Sequence, residues 1–318
     1  MMAHSASQKV TLLSFAAILV LLATYFTPVW WVSLTAPNYP PDAFPDGIRI
    51  HFHFNGVFNG CKGTIIKKNE VFQGDLGDAR ETEMRSQETQ HQALDCVHEM
   101  NTINHYVGMY PIDAGAPVER SLSRYFFGFF GVMLVAFAFP ARKTQVTILA
   151  AGFLAVTAWM AGEMYGAGRL GELLEHYRVA AGAYFNEPAV IARWTANLEL
   201  ALQLTMAGLV VVMLVVLAGV WFSRPFSLLL ALVPALLPVF FVIDYAGWLW
   251  FFGHNLHPWG AFTVKAFMPT VFGEGKVAQF STYSYPYIGY GLLLLATGLL
   301  LPAILLRRKA MREETSGA

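Results

Sequence analysis

Five apolar stretches of this chain, near 11–34, 145–166, 199–222, 226–252 and 285–306, are long enough to cross a hydrocarbon core of roughly 30 Å, which takes about 20 helical residues. A sixth, 125–141, is shorter. It opens on Tyr125-Phe126-Phe127 after Arg124, an aromatic start of the kind found at a membrane interface, and ends at Pro140 before Arg142-Lys143. The pattern predicts a mainly α fold, a six-helix transmembrane bundle. The first apolar run exceeds a signal-peptide core and closes on Thr27-Pro28-Val29-Trp30-Trp31, an interfacial belt, so it reads as a retained anchor.

Between the first two spans the period changes. In Ile48-Arg49-Ile50-His51-Phe52-His53-Phe54 apolar and polar residues alternate, and Asn55-Gly56 signals a turn before Val57-Phe58. This predicts a β-hairpin with Ile50, Phe52 and Phe54 on one face and Arg49, His51 and His53 on the other. The stretch 66–92 is strongly polar and reads as a solvated helix or loop. Leu94 to Tyr110 reads as a helix. The expected organisation is therefore helix 1 over 1–34, a small external α+β domain over 35–124 inserted between helices 1 and 2, a five-helix bundle over 125–306 with external loops 167–198 and 253–284, and a tail over 307–318.

Orientation follows from the basic residues. Lys9, Arg142-Lys143, Arg224 in the Ser223-Arg224-Pro225 turn, and Arg307-Arg308-Lys309 with Arg312 occupy alternate connections, which the positive-inside tendency places in the cytoplasm together with both termini. The expected location is a bacterial inner membrane. The 318 residues are 56% hydrophobic and only 13% charged, with mean hydropathy +0.47, which rules out an ordinary soluble domain. Formal net charge is zero, so neither a nucleic-acid footprint nor a polybasic lipid patch is supported.

This topology puts both cysteines and all but one of the nine histidines, His4, on the external side. The densest group is Cys96-Val97-His98-Glu99-Met100 followed by Asn104-His105-Tyr106-Val107-Gly108-Met109. Mixed imidazole and thioether donors suit copper, whereas neither a CxxC pair nor an HExxH helix is present for zinc. On a straight helix His98 and His105 lie about 10 Å apart and cannot share an ion, while His105 and Met109, or Cys96 and Met100, are spaced to do so. His51 with His53, and His254 with His257, are further candidate pairs. Each set has a plain alternative, as solvated polar residues, interfacial imidazoles or packing against the membrane helices. Cys61 and Cys96 share one external loop and are free to pair in an oxidising compartment, which would remove Cys96 from the ligands. Inside the spans, Glu163 and Asp244 are candidates for an ion path, and neither has an evident intramembrane Lys or Arg partner. Signatures for c-type haem, nucleotide, dinucleotide or serine-hydrolase chemistry are lacking, so a non-catalytic role is expected.

Ala36-Pro37-Asn38-Tyr39-Pro40, Asn104-His105-Tyr106-Val107-Gly108-Met109, His254-Asn255-Leu256-His257-Pro258 and Gln279-Phe280-Ser281-Thr282-Tyr283-Ser284-Tyr285-Pro286 resemble polytopic membrane proteins associated with copper-enzyme and nitrous-oxide-reductase maturation systems. The resemblance implies an accessory protein in the lipid bilayer that binds copper on its periplasmic face and delivers it to, or stabilises, a periplasmic or membrane copper protein. The family pattern favours an acid where His257 stands. The alternative is a membrane subunit of a larger redox or transport complex, including one of copper-monooxygenase type, whose external loops dock partner subunits.

Overall fold

The computed structural model describes residues 2–62, 64–66, 91–183, 185–258, 260–261, 263–277 and 279–316. Apart from its ends, the polar stretch 66–92 lies outside the described residues, as does Trp259.

The chain is mainly helical with a small antiparallel sheet. It runs α1 (Met2–Phe26), β1 (Trp30–Thr35), β2 (Ile48–His53), β3 (Gly56–Asn59), β4 (Thr64–Ile66), β5 (His91–Ala93), α2 (Cys96–Val107) and α3 (Pro117–Ala138). Then follow α4 (Arg142–Ala161) with a π-helical turn Gly162–Gly166, α5 (Arg169–Gly182), α6 (Pro188–Phe222), α7 (Leu229–Ala235), α8 (Leu237–His254), β6 (Gly273–Val277), β7 (Phe280–Pro286) and α9 (Ile288–Ser316). Among the described residues, five helical segments are long and apolar enough to cross a membrane: Ser7–Phe26, Pro117–Ala138, Arg142–Gly166, Pro188–Phe222 and Ile288–Glu313. This makes the chain an integral membrane protein.

The expected span 226–252 is not one straight helix. It divides into α7 and α8, bent by 53°, so six spans are reached only by counting this pair as one. Pro234 and Pro238 flank the break, and neither has an N–H to continue the ladder. The Ala235 carbonyl at the bend instead accepts the Thr297 hydroxyl of α9 (2.7 Å), which satisfies it without water. Two other boundaries differ from expectation. The strand β1 begins at Trp30, inside the stretch assigned to helix 1, and α3 begins at Pro117, eight residues before the expected start of its span.

The hairpin is present as anticipated, with β2 and β3 antiparallel and Ile50 opposite Asn59. The sheet is larger than that. Its order is β3-β2-β1-β7-β6, so β1 lies between the hairpin and β7, and the polar aromatic stretch 279–286 is its fourth strand. Ile48 and Ile50 are fully buried on the face covered by α2, in a core shared with Leu34, Phe44, Leu94 and Met100. Below the sheet, α1 packs along α9, where Ala17, Ala296 and Ala303 permit close approach.

Cys61 and Cys96 form a disulfide with Cα atoms 6.0 Å apart. It ties the end of the hairpin to the first residue of α2, and Cys96 is thereby withdrawn from metal ligation. Because the bridge closes a loop with a sequence separation of 35, reduction or Cys61→Ser is expected to cost about 3 kcal/mol of stability. A thermal midpoint of the full chain that does not fall on adding dithiothreitol would refute this.

Candidate functional site

The expected ligands lie in several separate environments. Asp95 caps α2, its carboxylate accepting from the Val97 and His98 amides (both 3.1 Å), which leaves the His98 side chain exposed. The helix ends at Gly108, whose left-handed φ of 80° lets its amide reach the Asn104 and His105 carbonyls. That turn breaks the His105 to Met109 spacing. Met109 is sent inward to a cavity of about 100 Å³ that Met100 also lines, while the His105 ring lies against Tyr106 and Phe185 (centroids 6.1 and 6.0 Å). Met100 and Met109 thus line one cavity, and His105 is not among its walls.

His254 and His257 are also parted. His254 is the last residue of α8, stacked on Trp250 with Nδ1 2.8 Å from its carbonyl. His257 lies beyond the helix end, buried, with Nε2 3.2 Å from Glu187 and its ring 4.6 Å from Phe185. On β2, the His51 ring stacks on Tyr287 and the His53 ring meets Phe58 edge-on. Burial lowers the pKa of both, with Arg49 adding to the effect at His51. Among the described residues no three His, Cys, Asp or Glu side chains are grouped as a metal site.

Glu163 does have a basic partner, contrary to expectation. Arg124 lies within α3 and places Nη1 3.1 and 2.9 Å from the two carboxylate oxygens, and the Tyr125 hydroxyl donates to the same carboxylate at 2.6 Å. Starting the span after Arg124 hid this pair. The acid is engaged in fastening α3 to the end of α4.

Asp244 leads to a different site. It lines a cavity together with Glu119 in the first turn of α3, and Trp248, one turn on from Asp244, donates its indole N–H to Glu119 Oε2 at 2.9 Å. The trio borders an aromatic chamber of about 330 Å³ between α3, α8 and the hairpin. Phe126, Phe127 and Phe130 form one wall, Phe240, Phe241 and Tyr245 the other, and Phe52 with Phe54 the roof. Phe54 bridges the walls, 4.9 Å from Phe127 and 5.9 Å from Phe241. The same Glu119, Asp244 and Trp248 also line a second, more open cavity of about 580 Å³ on the side of α6, with Trp194 and Asn197. They are the partition between the two.

Sequence reasoning found Asp244 but not Glu119. The available signal was the Pro117 start: Pro at the first helical position followed by an acid in the first turn marks a helix N-terminus, and would have drawn Glu119 into the span.

No protein-family model, curated protein or solved structure matches the chain. The four motifs behind the resemblance meet in pairs as folding contacts. Ala36, Pro37 and Tyr39 share a groove with Gln279, Ser281 and Tyr283, and the Tyr39 hydroxyl reaches Glu99 (3.2 Å), burial chiefly pushing that phenol up to about 12. The motif around Gly108 receives the loop at His257, whose amide donates to the Gly108 carbonyl at 2.7 Å. A Cβ on Gly108 would stand 2.4 Å from the His257 carbonyl oxygen. Gly108→Ala is therefore expected to destabilise by more than about 1 kcal/mol from the left-handed backbone alone. Gly108→Asn, which tolerates the dihedral, should do no better because the clash is unrelieved. A midpoint near wild type for either variant in thermal unfolding would contradict this packing.

Proposed function

We propose that this is a non-catalytic membrane protein that binds an amphiphile from the outer half of the bilayer in the aromatic chamber. The observation that carries the reading is a cavity of about 330 Å³ lined by phenylalanines of the apolar helices α3 and α8, with Glu119 and Asp244 at its wall. An apolar enclosure with few convergent polar groups is the usual form of a small-molecule site. The two carboxyl groups select the head: an amine or hydroxyl donates hydrogen bonds to them, whereas an anionic head is repelled. The end bearing Arg142, Arg224 and Arg307 then faces the cytoplasm of a bacterial inner membrane, and the sheet faces the periplasm.

Solvent extraction of the full chain purified in detergent, followed by mass spectrometry, tests this. A hydrophobic molecule with a donor head group is expected, and Leu237→Trp, which fills the chamber, should lower its recovery about tenfold. Phe240→Trp probes the same wall from an exposed position and guards against a folding defect. Equal recovery from wild type and both variants would overturn the reading.

Copper is a second reading, favoured by the placement of Met100 and Met109 on one internal cavity, a paired thioether set suited to Cu(I). In this form the protein holds Cu(I) beneath the sheet for a periplasmic or membrane copper protein. Competition with a Cu(I) chelator should then show stoichiometric binding that Met100→Leu with Met109→Leu abolishes and His105→Ala leaves intact. Absence of binding, or dependence on His105 alone, would exclude this arrangement.

A further inference from the structure

At the end of the bundle opposite the sheet, three arginines from different parts of the chain converge on one cavity of about 730 Å³. Arg142 opens α4, Arg224 sits in the turn after α6, and Arg307 projects from α9. The chain brings them together by specific bonds. Arg142 donates through Nε to the Val220 carbonyl (3.0 Å). Arg307, only 6% exposed, donates through Nη2 to the Phe137 carbonyl (2.6 Å) and lies over the Phe137 ring at 5.4 Å. Those contacts fix the planes of two guanidinium groups, each of which has five N–H donors.

A topology signal needs basic residues near the membrane surface and nothing more. Here they share a walled space. Glu313 is the carboxylate among the lining residues, so three guanidinium groups leave an excess of two positive charges around the cavity, with Ser7, Gln145 and Ser227 as neutral polar wall. A wall that carries this excess of positive charge attracts an anion.

We infer that this cavity is a binding site for a phosphate group, presented by an anionic phospholipid or by a soluble phosphate compound. Planar guanidinium forks match phosphate oxygens bidentately, and basic pockets between helices at the cytoplasmic end of a bundle are suited to acidic head groups. The inference is independent of the aromatic chamber, which lies at the other end.

The test uses the full chain in zwitterionic detergent. In one arm, native mass spectrometry follows retention of phosphatidylglycerol against phosphatidylcholine added in equal amount; in the other, inorganic phosphate is titrated while the thermal midpoint is read. Preferential retention of phosphatidylglycerol identifies a lipid source, and a saturable rise in midpoint with phosphate identifies a soluble one. Arg142→Gln and Arg224→Gln, both at exposed positions, should each weaken the effect about tenfold. Arg308→Gln removes the same charge outside the cavity and should leave it unchanged. The site is refuted if neither probe binds better than phosphatidylcholine, or if Arg308→Gln weakens binding as much as Arg142→Gln does.

Discussion

The sheet and the membrane bundle are one structure because of the pairing between β1 and β7. Trp30 lies opposite Pro286 and Leu34 opposite Thr282, and the ladder continues downward through Tyr287 N to Val29 O (3.0 Å) and Gly289 N to Pro28 O (2.8 Å). β1 leaves the end of α1 and β7 leads into α9, so strands and helices carry the same neighbour relation across the membrane boundary. Gly289 is required at the junction, since a Cβ there would stand 2.8 Å from the Pro28 carbonyl oxygen. Everything outside the membrane hangs from this joint: β2 and the hairpin are paired to β1, α2 covers them, and the disulfide fastens α2 to the hairpin.

The hairpin so placed decides where the chamber lies. Phe52 and Phe54 reach the top of α3 and α8 because β2 is held in register against β1, with Phe52 opposite Trp30. The carboxyl groups below them sit where an isolated charge is expensive to bury. The Trp248 N–H reduces that cost at Glu119 by supplying a partner. Glu163 meets the same problem by another route, through the Arg124 guanidinium and the Tyr125 hydroxyl. Glu163 is matched by a fixed cation, whereas Glu119 and Asp244 face the chamber; that difference is why the chamber, and not the Glu163 cluster, carries the functional reading.

Much of the bundle was legible because apolar length is a strong signal, and the hairpin because its alternation and turn are local. The rest depended on contacts distant in sequence. β1 was absorbed into helix 1 because Trp30 and Trp31, after the Thr27-Pro28 break, read as the interfacial belt that closes a span. β7 is a visible polar aromatic alternation, but its partner lies about 250 residues earlier, and no local pattern names it. The two charges in the first turns of α3, Glu119 and Arg124, made that span look shorter than it is, although each is matched within the fold. His105 and Met109 are parted for a local reason: their i to i+4 spacing holds on one continuous helix, and Gly108 ends it.

The bend between α7 and α8 links these points. Below it, Leu230, Ala231 and Ala235 are buried against the rest of the bundle, whereas Val239, Phe240 and Ile243 just above it are largely exposed. The change follows from the loss of ladder bonds at Pro234 and Pro238, which allows α8 to leave the direction of α7 by 53°. In that direction α8 lines the chamber with Phe240, Phe241 and Tyr245 opposite Phe126 and Phe127, and Trp248 meets α3 through Glu119 across the gap. The chamber is thus a consequence of two prolines acting on a helix whose upper end is tied by polar groups. Its volume is set by backbone geometry, which an apolar side chain substituted in the wall can fill but not remove.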